Sequence, residues 1–191
     1  MTSEKPLVSS DSSSKPPEES WLSIDLIDDR LAISGLQGAR NWELIRDLGI
    51  VYIIDLTDTH YYTAFPKFIK YHQIPMKDNS SEVMLKKLPH VIEIIDKAVE
   101  AKDGKVLVHC VAGVSRSTTV CVAWLMMRDG LSAQAALEKV KAVRSVVRPN
   151  PSFMEQLKCL EESENDPSVA LIRYREIHPE PPASHLCCSL M

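Results

Sequence analysis

No stretch of the chain approaches the roughly 20 consecutive apolar residues that a bilayer-spanning helix requires, and no secretory apolar segment follows Met1. Thr2 stands where N-myristoylation would need glycine. An excess of positive charge is missing as well. Lys and Arg number 22 against 26 Asp and Glu, a net charge of −4, which argues against a general nucleic-acid binder. No CxxC pair and no His/Cys cluster has the spacing of a zinc site, so no metal is expected. The five cysteines are odd in number and follow no secretory signal, which predicts free thiols in a reducing, cytoplasmic setting rather than a disulfide framework. No internal repeat is present. What remains is a 191-residue chain, 45% hydrophobic and 25% charged, the profile of one globular domain with a proper core.

Residues 1–20 are Ser, Pro and Glu with almost nothing apolar, a composition that predicts a disordered N-terminal tail. From Trp21 the pattern changes. "SIDLI" and "RLAIS" read as strands around the turn-like Asp28-Asp29, Gly35 and Gly38 punctuate a loop, and "ARNWELIRDLG" has helical spacing. "IVYIIDL", "IKYHQIPM" and "KVLVH" are further strands, the first β-branched enough to be buried on both faces. Helices are predicted over 81–101, with Pro89 dividing them, then over about 115–129, about 132–146 and "PNPSFMEQLKCLEE". There Ser152 and Glu155 have capping-box spacing. Strands alternating with helices predict an α/β domain over 21–162: a mostly parallel twisted sheet flanked by helices. From 163 to 191 the period fades into a Pro-rich tail expected to be flexible.

"VLVHCVAGVSRSTTV" puts Cys110 at the tip of a strand and Arg116 at the mouth of a helix. The unpaired first-turn N–H groups of a helix, and its dipole, make such a junction a ready anion site. Val111, Ala112, Gly113, Val114 and Ser115 can curl their amides around a tetrahedral dianion, with Gly113 permitting the tight backbone. Arg116 adds a planar fork for two phosphate oxygens. The same field favours a thiolate at Cys110. Such chemistry also needs an acid for the leaving oxygen and later a base for water. Asp78, in the loop "IPMKDNSSE" 32 positions before Cys110, is the candidate. Ser117 can hydrogen-bond the sulfur and help it leave.

"HCVAGVSRS" resembles the signature of cysteine-dependent protein phosphatases of the dual-specificity class. The resemblance extends over about residues 22–162 through "LAISGLQGARNWELIRDLGI", Asp78, "VAWLM" and "VVRPNPSFMEQL". It implies Cys110 as nucleophile, Asp78 as general acid, Arg116 as phosphate clamp and Ser117 as helper in hydrolysis. It also implies that His109 orients the loop and tunes the thiolate, and that Asn150 braces the loop. No cofactor is implied. The length leaves no room for the kinase-docking domain of some relatives, so a small, atypical member is expected. Phosphatases of inositol lipids tend to carry lysines within this loop. Val111, Ala112 and Val114 are apolar, which favours a phosphoprotein partner, with phosphotyrosine, phosphoserine and phosphothreonine all admitted. A phosphoinositide or RNA 5′-phosphate substrate is the alternative among enzymes, and a silent phosphoprotein-binding scaffold the alternative outside them. Cys121 falls on an apolar helix and reads as packed core, a redox partnership with Cys110 being the sharper alternative.

The last four residues, Cys188-Ser189-Leu190-Met191, fit the prenylation pattern with methionine pointing to farnesyl, although Ser189 is not aliphatic. Cys187 could accept a palmitoyl group beside it. One lipid anchors only reversibly and no polybasic run precedes the site, so the expectation is peripheral attachment to cytoplasmic membranes.

Overall fold

The computed structural model describes residues 21–59 and 66–179. The expected N-terminal tail, 1–20, and the part of the expected 163–191 tail beyond 179, with Cys187 and Cys188, lie outside the described residues.

Five strands form one sheet in the order β1-β2-β5-β3-β4. They are β1 (Ile24–Leu26), β2 (Leu31–Ser34), β3 (Ile50–Asp55), β4 (Lys70–Gln73) and β5 (Lys105–His109). Only β1 runs antiparallel, hairpinned onto β2; β2, β5, β3 and β4 are parallel to their neighbours. The central strands are apolar through their middle positions, with polar residues only at their ends, because both faces are covered. Leu31, Ile33, Tyr52, Ile54, Val106 and Val108 face the larger core, while Ala32, Ile53 and Leu107 alternate onto the other side.

The smaller core is closed by α1 (Leu36–Ala39) and α2 (Trp42–Asp47), which contribute Ala39 and Ile45. Helix α1 is a departure from expectation. The Gly35 and Gly38 pair read as a loop, yet one turn of helix starts after Gly35 and contains Gly38, where a Cβ would lie 2.5 Å from the Ser23 carbonyl oxygen. The larger core is built by α3 (Leu88–Ala101), α4 (Arg116–Asp129), α5 (Ala133–Val143) and α6 (Pro151–Glu161). Pro89 lies in the first turn of α3, where its missing N–H costs nothing, and a single 3-10 turn at Met84–Lys86 precedes it.

Helix α4 crosses the centre of the domain, with every residue from Arg116 to Met126 buried. Trp124 donates its indole N–H to Asp96 at 2.8 Å, so the largest core side chain leaves no polar atom unpaired. Cys121 is fully buried on this helix, and that burial pushes its thiol well above the ordinary range, consistent with packed core.

Two expectations are corrected toward the C-terminus. The capping box at Ser152 and Glu155 does not form: Ser152 is inside α6, and Asn150 caps the helix by accepting from the Phe153 N–H at 2.9 Å. The flexible tail expected from 163 is instead ordered as α7 (Pro167–Ile177), capped by Asp166 and packed through Ala170 and Tyr174. Its outer face carries exposed Val169 and Ile172, which blurs the apolar period and hides the helix from sequence reading.

Candidate active site

The parallel strands end together, and their C-terminal edge is where an open α/β sheet offers a crevice. Strand β5 delivers His109 and Cys110 to that edge, and α4 begins six residues later. Cys110 is 1% exposed, with its sulfur 3.3 Å from both the Gly113 amide, which donates to it, and the Ser117 hydroxyl.

The loop between them is held from outside by its carbonyls. Leu36 N–H donates to the Val111 oxygen at 2.9 Å. Arg144 donates from Nη2 to the Ala112 oxygen at 3.2 Å and from Nε to the Gly113 oxygen at 2.8 Å. The Val114 oxygen accepts from the Arg148 backbone N–H at 2.8 Å and the Thr118 hydroxyl at 2.9 Å. A trans peptide points its N–H opposite to its C=O. Four carbonyls tied outward therefore turn the amides of Ala112, Gly113, Val114 and Ser115 toward the space above Cys110.

Ser115 stands at the N-cap of α4, yet its side chain makes no cap bond and donates to Asp78 Oδ1 at 2.7 Å instead. The first-turn amides of a 14-residue helix are thereby left without a side-chain partner at the loop. Gly113 has φ of +67°, and a Cβ on it would lie 2.5 Å from Ser34 C and 2.6 Å from Gly35 N. Gly113→Ala should lower stability by about 2–3 kcal/mol through strained backbone and overpacking together, measurable as a shifted urea midpoint, and should reduce anion binding.

Arg116 is buried at 7% exposure beneath the loop. Its Nη1 donates to the Met76 carbonyl at 3.0 Å, and two carboxylates lie just beyond hydrogen-bonding range: Asp78 at 3.6 Å from Nε and Asp58 at 3.5 Å from Nη1. The buried Nε has no hydrogen-bond partner. A buried donor left unmade costs about 1–3 kcal/mol, which an arriving oxyanion would return.

Asp78 is fixed by two donors to one oxygen, Ser115 Oγ at 2.7 Å and Asn150 Nδ2 at 2.9 Å. Asn150 in turn donates its backbone N–H to Ser115 Oγ at 3.1 Å while capping α6. Oδ2 is thus the carboxylate oxygen facing Arg116. His109 is buried behind the cysteine, with Nε2 3.7 Å from Asp55 Oδ1 and Nδ1 3.4 Å from the Cys110 carbonyl oxygen. Burial pushes its imidazole below the ordinary value, with Asp55 opposing that shift. Asp55 is itself held by the Tyr71 hydroxyl and the Thr57 N–H.

All eleven site residues singled out between 78 and 150 are therefore brought to one edge of the sheet. Arg144 was missed. It is 2% exposed and bridges the loop carbonyls to Asp25, whose Oδ2 lies 2.7 Å from Nη1. The available signal was its phase: Ala133, Ala136 and Val140 form the buried stripe of α5, and Arg144 comes four residues on, a charge on the core side.

The family model for the dual specificity phosphatase catalytic domain matches residues 36–163. The chain belongs to this family. Dual specificity protein phosphatase 9 of Homo sapiens is 40% identical over 139 residues, covering 70% of this chain and 35% of that protein. Dual specificity protein phosphatase MPK-4 of Drosophila melanogaster is 38% identical over 141 residues, covering 72% and 36%. The chain thus spans about a third of the length of these relatives. Among solved structures, human DUSP28 superposes with a TM-score of 0.70 at 27% identity, covering 80% of this chain and 98% of that one. The human tyrosine phosphatase-like serine/threonine/tyrosine-interacting protein gives 0.68 at 27% identity, covering 73% and 96%. In this dual specificity phosphatase domain the matched segment begins at Leu36, the residue whose amide first ties the loop, and ends just past α6.

Proposed function

We propose that this domain hydrolyses phosphate monoesters on tyrosine, serine and threonine side chains of proteins through a phosphocysteine intermediate. One observation carries the reading. A cysteine sulfur receives an amide and faces a hydroxyl at the floor of an amide-lined loop, beside a buried arginine whose Nε lacks a partner.

The phosphoryl group binds with its non-bridging oxygens on the loop amides and on Arg116, which supplies Nε and its second nitrogen as a fork. Cys110 Sγ attacks phosphorus in line. The P–S bond forms as the ester P–O bond breaks, and Asp78 gives its proton to the departing oxygen. A water molecule then attacks the phosphocysteine, giving its proton back to Asp78. The P–S bond breaks, and the Ser117 hydroxyl donates to the leaving sulfur. Free phosphate departs, and the enzyme returns to its starting state.

A phosphatase-like fold by itself does not distinguish turnover from binding; Cys110, Arg116 and Asp78 together favour turnover. Asp78→Asn is close to isosteric and keeps an Oδ1 acceptor for Ser115, so the loop should stand. Hydrolysis of an aryl phosphate with a poor leaving group should fall on the order of 10²-fold, while one with a good leaving group should be much less affected. Equal losses for both leaving groups would remove Asp78 from the acid role.

A further inference from the structure

Beside the loop, and on the far side of the Asp78 support, lies a cleft of about 630 Å³ lined by Val114, Ser115, Arg148, Pro149, Asn150 and Met154, with Pro151 at its rim. It shares Ser115 and Asn150 with the phosphate site, since both residues donate to Asp78 from the opposite wall. A substrate whose phosphate sat over Cys110 would lead its neighbouring residues over this rim. Because the loop residues Val111, Ala112 and Val114 offer a flanking residue no side-chain hydrogen bond, sequence preference has to come from adjoining surface.

The cleft is preformed. Pro149 and Pro151 lock φ on either side of Asn150, which is itself held through its backbone N–H, its Nδ2 and its Oδ1. The Val114 carbonyl is pinned by the Arg148 N–H and the Thr118 hydroxyl. A ligand entering it pays little to order the walls. Its chemistry is mixed: Val114, Pro149 and Met154 form an apolar floor, and Arg148 stands exposed at the edge. Glu155 on α6 is paired with His178 at 3.1 Å. Among the described residues the Arg148 guanidinium has no carboxylate partner, whereas Arg144, Arg116, Arg128 and Arg173 all have one within 4.0 Å.

We propose that this cleft is a substrate subsite that takes an apolar side chain next to the phosphorylated residue, with an acidic side chain of the same peptide paired to Arg148. The inference rests on the phosphatase reading above and adds a sequence preference to it. The occupant is an acidic-apolar peptide flank. Its carboxylate matches the one uncommitted cation of the rim, and its apolar residue fits a floor without hydrogen-bonding groups of its own.

The test compares three substrates: a small aryl phosphate, a phosphotyrosyl peptide flanked by Leu and Asp, and the same peptide flanked by Ser and Gly. Wild type should prefer the Leu/Asp peptide by about tenfold in kcat/KM, the size of one exposed ion pair plus one apolar contact. Arg148→Glu should abolish that preference, and Arg148→Lys should keep most of it. Affinity of the two peptides for Cys110→Ser, with and without Arg148→Glu, reads the same contrast without turnover. Equal use of both peptides by wild type, or a preference that survives Arg148→Glu, would overturn the subsite. Loss of aryl phosphate turnover in wild type would instead overturn the phosphatase reading, leaving the affinity comparison to decide the subsite.

Discussion

Cys110→Ser should fold as the wild type does and should lose turnover by a factor on the order of 10⁴ or more, the scale expected if Cys110 is the nucleophile of the proposed covalent mechanism. The fold survives because serine is slightly smaller than cysteine and the site offers it the same partners. The Gly113 amide can donate to Oγ, and the Ser117 hydroxyl can exchange a hydrogen bond with it. Chemistry does not survive, because an alcohol is scarcely ionised at neutral pH and no general base touches this atom. His109 lies behind the backbone of Cys110 with its Nδ1 at the carbonyl oxygen, so it cannot deprotonate the hydroxyl. Binding should persist, since the loop amides and Arg116 remain. Far-UV circular dichroism, steady-state hydrolysis of an aryl phosphate and phosphopeptide affinity together check the three parts.

Arg116→Lys is the second large effect. Lysine keeps the charge and much of the length yet has no planar fork, so it reaches one phosphate oxygen where arginine spans two. The unpartnered Nε, placed for an incoming oxyanion, is deleted outright. A lysine ammonium in that buried position would also be drawn to the Met76 carbonyl and to the Asp58 and Asp78 carboxylates, which already surround the guanidinium. The expected loss in kcat/KM is on the order of 10²–10³, the range for removing a preorganised donor from developing charge. The loss should appear in kcat as well as in KM, because the fork holds the transition state more tightly than the substrate. A change confined to KM would mean that Arg116 only attracts the anion.

Much of this was legible because local signals agreed. Strand β5 is a short β-branched run ending at a cysteine, and α4 follows after a glycine and a serine, so loop, strand and helix were all readable from one segment. The parallel sheet followed from alternation of strands with helices. Less legible were features that depend on distant partners. Helix α1 is only four residues long and carries its tie to the loop through one backbone N–H, which no composition reveals. Asn150 outcompetes Ser152 as the α6 cap because Ser115 and Asp78 fix its side chain and backbone from across the site. Arg144 joins β1 to the catalytic loop over more than a hundred residues, a pairing that periodicity along one helix only hints at. Helix α7 was hidden because a marginal terminal helix buries only Ala170 and Tyr174.

The most direct test of the account is to catch the intermediate. Ser117→Ala, which removes the hydroxyl 3.3 Å from the sulfur, should slow loss of phosphate from cysteine more than its transfer to cysteine. Quenched in acid during turnover of an aryl phosphate and digested, this variant should yield the peptide containing Cys110 heavier by one phosphoryl group. The Cys110→Ser protein treated identically should yield none. Phosphate release at normal rates with the Cys110 peptide unmodified, or a phosphoryl group on another residue, would contradict the phosphocysteine mechanism.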